Sequence, residues 1–178
     1  MISATSSLTD IAFAVGTALD RVGVTAVLTG GSAATFYAPD AYQSRDLDFV
    51  ITLHGTGGEA ALGSIGYRRE IDYYLHPDST FPLEFPRGPL MVGDDHLTHW
   101  NTVRRDDQVL HVLTPTDSCR DRLAAFLFWN DFSGLDQALA VCGARDDIDF
   151  EIVRDWCARS GEAPKWELFA RRLGRPVR

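Results

Sequence analysis

The chain has 178 residues, of which 45% are hydrophobic and 24% charged, and its formal net charge is −8. These values predict one globular domain, or a compact core with a small helical extension. The acidic balance argues against a general nucleic-acid coat or an anionic membrane surface, so we expect no DNA partner and no membrane. No apolar run approaches the ~18 residues that a membrane span needs.

Three widely spaced cysteines, Cys119, Cys142 and Cys157, lie in apolar patterns and form no Cys-x-x-Cys pair. They predict free thiols in a reducing compartment rather than a disulfide framework or a zinc site. The N-terminal segment has neither a basic region nor a long apolar stretch, so we expect no signal peptide. A cytoplasmic location is the resulting prediction.

The first elements lead to a glycine turn. Apolar residues at helical spacing predict a helix over Leu8–Val22, and a short buried strand follows over Thr25–Leu28. Gly30 and Gly31 then allow the backbone to turn sharply and to approach a ligand closely, while Ser32 is a good N-cap for a short helix. A helix start presents free N–H groups and partial positive charge, which suits a polyphosphate. A plain strand-to-helix turn is the alternative interpretation.

Two aspartates stand at the start of the next apolar run. In a strand, Asp46 and Asp48 would project from one face while Leu47 and Phe49 point into the core. Adjacent carboxylates repel one another unless a cation lies between them, and Mg²⁺ (or Mn²⁺) is the expected occupant because it takes oxygen ligands and substrate phosphates. Two acids on a solvated strand edge are the alternative.

Together, Gly30-Gly31-Ser32, a gap of 13 residues and Asp46-Leu47-Asp48-Phe49 resemble the signature of the DNA polymerase β-like nucleotidyltransferase superfamily. The resemblance is tight only over residues 27–51. It implies an α/β (α+β) fold with a small mixed sheet flanked by helices. It also implies magnesium-dependent transfer of a nucleoside monophosphate from an NTP to an acceptor, with nucleotide binding by Gly30, Gly31, Ser32 and Arg45 near the metal-binding pair Asp46 and Asp48.

The resemblance also implies a third carboxylate on a neighbouring strand. Glu84 is the best candidate, since Leu83 and Phe85 would face one side of a proline-bounded strand and Glu84 the other. The alternative is an exposed residue on an edge strand, and Asp72 is the second choice for the third ligand.

The remaining elements follow in chain order. We predict a helix over 57–65, short strands at 67–70 and 73–76, loops over 77–98 around the strand of Glu84, and a hairpin of 102–105 with 109–113. From Thr114 onward the pattern becomes helical, with predicted helices at 116–129, 133–143, 149–160 and 165–173. The domain prediction is therefore a nucleotidyltransferase core over 1–113 and a helical region over 114–178.

The helical region resembles that of AbiEii/MenT-type nucleotidyltransferase toxins. In that family a lysine on one helix and an aspartate at the start of the next complete the active site. Here Arg120 or Arg122 matches the lysine, and Asp131 matches the acid. Arginine can hold a triphosphate through paired hydrogen bonds, but it cannot act as a proton acceptor. A solvated helix face for the arginines and an N-cap for Asp131 are the alternatives.

Three functions are consistent with these patterns. The first is a toxin that nucleotidylates tRNA or a protein and is countered by a cognate antitoxin. A basic C-terminal segment favours an RNA acceptor and contains Lys165, Arg171, Arg172, Arg175 and Arg178. The second is an enzyme that nucleotidylates a small molecule such as an aminoglycoside. The third is a non-catalytic module that binds a nucleotide or a partner, which the missing lysine makes credible.

Overall fold

The computed structural model describes residues 2–174 and has a mixed α/β architecture, in which helices flank a seven-stranded sheet. The predicted fold class is confirmed. The helices are α1 (Leu8–Asp20), α2 (Gly30–Tyr37), α3 (Gly58–Ser64), α4 (Pro115–Trp129), α5 (Phe132–Ala144), α6 (Phe150–Arg159) and α7 (Ala163–Leu173). None of the helices within 2–174 is both long enough and apolar enough to span a bilayer.

The strands of the large sheet are β1 (Thr25–Thr29), β2 (Leu47–Leu53), β3 (Arg68–Glu70), β4 (Tyr73–Leu75), β5 (Leu83–Glu84), β8 (Asn101–Arg105) and β9 (Gln108–Val112). Their spatial order is β3-β4-β5-β2-β1-β9-β8. β1 runs antiparallel to β2 and parallel to β9, whereas β2 runs parallel to β5. β1 and β9 therefore end at the edge where β2 begins, and α2 and α4 start from that edge.

Helix α1 lies directly on the sheet. Its start is fixed by a capping box in which Ser7 and Asp10 bond each other's backbone N–H groups. A Cβ placed on Gly16 would lie only 2.8 Å from the carbonyl oxygen of Val109, so glycine permits the close contact with β9. Thr17 also bonds the backbone of Val109 in both directions. The helix ends two residues earlier than predicted, at Asp20.

The glycine turn differs from the prediction in one respect. Helix α2 begins at Gly30 with Thr29 as its N-cap residue, so the prediction that Ser32 caps the helix was wrong. Gly30 has φ +62°, which a residue without a Cβ adopts readily. The chain therefore turns directly out of β1 into the helix.

Residues 77–98 were predicted to form loops around the Glu84 strand, but they contain a further element. Two strands of two residues each, β6 (Met91–Val92) and β7 (Asp95–His96), form a small separate hairpin. Gly93 takes a positive φ in its turn, and an added Cβ there would meet the ring of Trp156 at 3.3 Å. Strands this short are below the length at which alternation can be recognised in a sequence.

One continuous cluster of buried side chains joins the sheet to the helical region. It runs from Leu8 of α1 through Phe49 of β2 to Phe126 of α4 and Phe169 of α7. The region after residue 114 therefore packs on the core, with α4 and α5 both in contact with α2. A second, smaller cluster of Val27, Leu90 and Leu113 covers the other face of the sheet.

Candidate active site

The two acids on neighbouring strands lie next to each other at the sheet edge. Asp48 of β2 is in register with Glu84 of β5 on one side and with Thr29 of β1 on the other. Leu47 and Phe49 are fully buried, so Asp48 faces the opposite side of the sheet, as predicted. Glu84 likewise alternates with the buried Leu83. Strand pairing therefore positions both carboxylates.

Asp46 is held differently. It lies just before β2 rather than inside the strand, which corrects the prediction that both aspartates share one strand. Its carboxylate accepts a hydrogen bond of 2.9 Å from the Ser44 hydroxyl, and Ser44 donates its own N–H to Thr35 on α2. Asp46 is therefore anchored through a loop residue, close enough that its charge acts on both Asp48 and Glu84.

The electrostatics of the three carboxylates are those of a crowded anionic site. Burial and the nearby charges of Asp46 and Glu84 raise the pKa of Asp48 to about 7, against the lowering effect of Arg122. Burial and the charge of Asp46 also raise the pKa of Glu84. A cation close to these groups would relieve the repulsion and lower the pKa of both acids.

The diglycine turn lies directly against the acids. A Cβ placed on Gly30 would lie 2.5 Å from Oδ2 of Asp48 and 3.6 Å from Nη2 of Arg122. A Cβ on Gly31 would lie 3.1 Å from the Ser44 hydroxyl. Bare backbone therefore forms one wall of the site, and Gly30 in particular leaves no room for a side chain.

Ser32 holds the two halves of the motif together. Its side chain is fully buried, and its hydroxyl donates a 2.7 Å hydrogen bond to the carbonyl of Thr29. The same oxygen accepts the N–H of Asp48 at 3.1 Å. Both hydrogen bonds are internal, so Ser32 fixes the position of Asp48 relative to the turn rather than presenting its hydroxyl toward a ligand.

Arg122 of α4 also reaches this site, next to Gly30. Its guanidinium bonds Asp121 through Nε (2.9 Å) and Nη2 (2.6 Å), and donates from Nη1 to the amide oxygen of Gln137 at 3.4 Å. Gln137 is almost completely buried on α5. The packing of α4 on α5 thus directs the guanidinium toward Gly30 and Asp48.

The other predicted residues of the helical region lie elsewhere. Arg120 is buried, bonds Asp117 at 2.9 Å and Asp95 on β7, and lies over the ring of Trp156. It is therefore engaged in packing the β6–β7 hairpin onto α4. Asp131 is the N-cap of α5 and accepts the N–H of Ser133, which is the alternative that the sequence had left open.

Arg45 and the described residues of the basic C-terminal segment do not belong to the group formed by Gly30, Asp46, Asp48, Glu84 and Arg122. Arg45 is exposed and makes no ion pair with any residue of the described range. Arg172 bonds Asp136 and Lys165 lies 3.6 Å from Glu162, while Arg175 and Arg178 lie outside the described residues.

Four residues around this site were missed by the sequence prediction: Ser44, Asp121, Gln137 and Tyr42, whose hydroxyl oxygen lies 3.2 Å from the position of a Gly31 Cβ. Gln137 follows a second polar residue, Asp136, in the stretch Leu135–Val141, so no pattern marked it as the buried one. Asp121 adjoins Arg122 in sequence. Tyr42 and Ser44 lie in the loop before Asp46, where no periodicity marks them.

The donor set suits a hard divalent cation. Within residues 2–174 no group of three or more His, Cys, Asp or Glu side chains is arranged to hold a metal ion by itself. Magnesium is usually bound by one or two carboxylates, with substrate phosphates and water as its remaining ligands. Asp46, Asp48 and Glu84 would fit that role, since all three are oxygen donors, and the charge of Asp46 contributes to the raised pKa of both Asp48 and Glu84.

Comparison with known proteins adds no relative to this description. No protein-family model, curated protein or solved structure matches the chain.

Proposed function

We propose that the protein is a magnesium-dependent nucleotidyltransferase that moves a nucleoside monophosphate from an NTP to an acceptor. One observation carries the proposal. The bare backbone at Gly30, the Asp48 carboxylate and the Arg122 guanidinium meet at one point, with Asp48 and Arg122 atoms 2.5 and 3.6 Å from the position of a Gly30 Cβ. Backbone N–H groups, paired acids that can bind a cation and an arginine that can bind phosphate are the parts that phosphoryl transfer requires.

Each group has a defined task in this proposal. The N–H groups at the start of α2 bind phosphate oxygens, and Arg122 leaves its partner Asp121 to bind the triphosphate through paired hydrogen bonds. Asp46, Asp48 and Glu84 would hold magnesium, which would neutralise phosphate charge and acidify the attacking hydroxyl. Because Arg122 cannot accept a proton, the acceptor proton passes to a carboxylate or to solvent.

We further propose that the acceptor is tRNA or a protein and that the enzyme acts as a toxin with a cognate antitoxin. The resemblance of the helical region to AbiEii/MenT-type toxins supports this. So do the exposed arginines Arg171 and Arg172 at the end of α7, which can contact phosphates. A growth defect on expression that a neighbouring gene relieves is the expected cellular result.

The transferase proposal is tested with purified full-length protein, Mg²⁺ and each NTP labelled at the α-phosphate. Total tRNA, a cell protein extract and an aminoglycoside serve as parallel acceptors. We expect label in RNA or protein, with release of pyrophosphate. Asp46→Asn and Asp48→Asn should reduce transfer at least about 1,000-fold while the protein stays folded. Asp106→Asn, in the exposed β8–β9 turn, is the matched control and should remain active.

The outcomes separate the alternatives. Label in the aminoglycoside would identify a small-molecule nucleotidyltransferase and contradict the toxin proposal. No label and no pyrophosphate with any NTP, or full turnover in both aspartate variants, would contradict the transferase proposal itself.

A further inference from the structure

Helices α4 and α5 bring two thiols into contact at a place that the proposed function does not use. The Sγ atoms of Cys119 and Cys142 are 3.4 Å apart, although the residues are separated by 23 positions in the sequence. Cys119 is fully buried, whereas Cys142 is partly exposed. A third thiol, Cys157 of α6, is buried. One partner of the pair is therefore open to solvent and the other is not.

The two helices that carry the thiols pack closely against each other. A Cβ placed on Gly134 of α5 would lie 2.6 Å from the carbonyl oxygen of Arg122 and 3.0 Å from the Cβ of Ala125, both on α4. A disulfide bond measures about 2.05 Å, so the two sulfur atoms need to approach by roughly 1.4 Å. A change of rotamer at the partly exposed Cys142 moves its sulfur atom while the backbone stays in place.

We propose that Cys119 and Cys142 form a reversible disulfide by exchange with a small-molecule disulfide of the oxidised glutathione type. Cys142 attacks one sulfur of the small disulfide, which forms a mixed disulfide and releases one small thiol. Cys119 then attacks the Cys142 sulfur, which forms the Cys119–Cys142 bond and releases the second small thiol. The two protein thiols are oxidised, the small disulfide is reduced, and the two protons pass to the released thiolates.

The order of the two steps follows from exposure. The hydrogen bond with Cys142 and burial raise the pKa of Cys119 well above its ordinary value, so Cys119 is a poor initiating nucleophile. Its attack becomes effective only as the second step, because the electrophilic sulfur is then already at contact distance. The bond would tie α4 to α5 close to the point where Arg122 meets Gln137.

The experiment treats the folded full-length chain with oxidised glutathione, blocks the remaining thiols with an alkylating agent, and maps peptides without reduction. We expect one linked peptide pair containing Cys119 and Cys142, lost after dithiothreitol. Cys157→Ser should keep the link. Cys142→Ser should abolish it and leave Cys119 unmodified, with an unchanged circular dichroism spectrum showing that the variant is folded.

Three results would overturn the inference. They are a link between Cys119 and Cys157, a stable glutathione adduct on Cys142 with Cys119 free, or both thiols fully alkylated after the oxidant. Because none of these measurements involves an NTP, failure of the disulfide is distinguishable from failure of the transferase proposal.

Discussion

The sheet edge and the helical region hold their polar side chains in different ways. At the sheet edge, Asp48 and Glu84 are placed by strand register, and a buried serine fixes Asp48 to the turn before it. In the helical region, Arg120 and Arg122 stand two residues apart on one helix, yet one packs a hairpin and the other faces the acids. Backbone pairing thus determines where the carboxylates of Asp48 and Glu84 lie. The positions of the arginines are determined by their long side chains and the partners that these contact.

The largest expected effects, on stability and on transfer together, test the different roles of the two arginines. Arg120→Ala should lower the free energy of unfolding by about 3 kcal/mol, because it leaves the half-buried Asp117 without its ion-pair partner and leaves Asp95 with Arg159 alone. Arg122→Ala should cost less stability but reduce nucleotidyl transfer about 100-fold. Urea unfolding and labelled-NTP assays on both variants check this. Equal stability losses, or an inactive but stable Arg120→Ala variant, would contradict the division of roles.

The next effect concerns pH at Asp48. Since its pKa in the folded protein, about 7, lies above the ordinary value of 3.8, the folded state binds the proton more tightly than the unfolded state. Its contribution to stability is therefore greatest below pH 4 and is lost as the pH rises to 7, by up to about 4 kcal/mol. Asp48→Asn should be more stable than wild type above pH 7, and the difference should vanish near pH 4.

Magnesium binding gives a second test of the charge at Asp48. At pH 8, Mg²⁺ should raise the melting temperature of the wild type, and a chelator should reverse the rise, while Asp48→Asn responds weakly. Asp106→Asn, in an exposed turn, should respond like the wild type. A pH-independent difference between Asp48→Asn and wild type would show that burial and the neighbouring acids do not raise the pKa of Asp48 in the folded protein.

A smaller effect is expected at Gly30, where bare backbone lines the site. Gly30→Ala and Gly23→Ala impose similar backbone strain, at φ +62° and +73°, of about 1–2 kcal/mol. An added Cβ at Gly30 meets Asp48, whereas at Gly23 it meets nothing within 4 Å. Gly30→Ala should therefore lose transfer about 100-fold, and Gly23→Ala should keep it. Similar activity in the two variants, measured at equal folded fraction, would remove Gly30 from the site.

The smallest effect concerns the crossing of α4 and α5. Gly134→Ala should destabilise the protein by about 1–3 kcal/mol, because its Cβ meets the Arg122 carbonyl at 2.6 Å. Gly143→Ala, later on the same helix with nothing within 4 Å, should stabilise it by about 0.5–1 kcal/mol. Thermal unfolding of the pair measures both signs, and a stable Gly134→Ala variant would show that the helices can separate.

The difference between strand pairing and side-chain packing explains which features could be predicted from the sequence. The fold class and the meeting of Gly30 with Asp48 were predictable, because the motif strands are consecutive and side chains alternate along them. Helical periodicity could not decide between Arg120 and Arg122, since each faces a different neighbour from a distant part of the chain. Gln137 and Asp121 depend on how α5 and α4 pack, which no local pattern encodes. The catalytic roles themselves remain predictions.

Because β5 is so short, the position of Glu84 is sensitive to a shift in strand register. Glu84 has only one other residue in its strand, and the segment is fixed at its start by the bond from the Leu47 N–H to the Pro82 carbonyl. A slip of a single position would bring Leu83 or Phe85 beside Asp48 and turn the acid toward the hydrophobic interior. An insertion or deletion between Ser79 and Pro82 that shifts this register would thus remove the proposed third ligand from the site in one evolutionary step, while every acidic residue of the chain is still present.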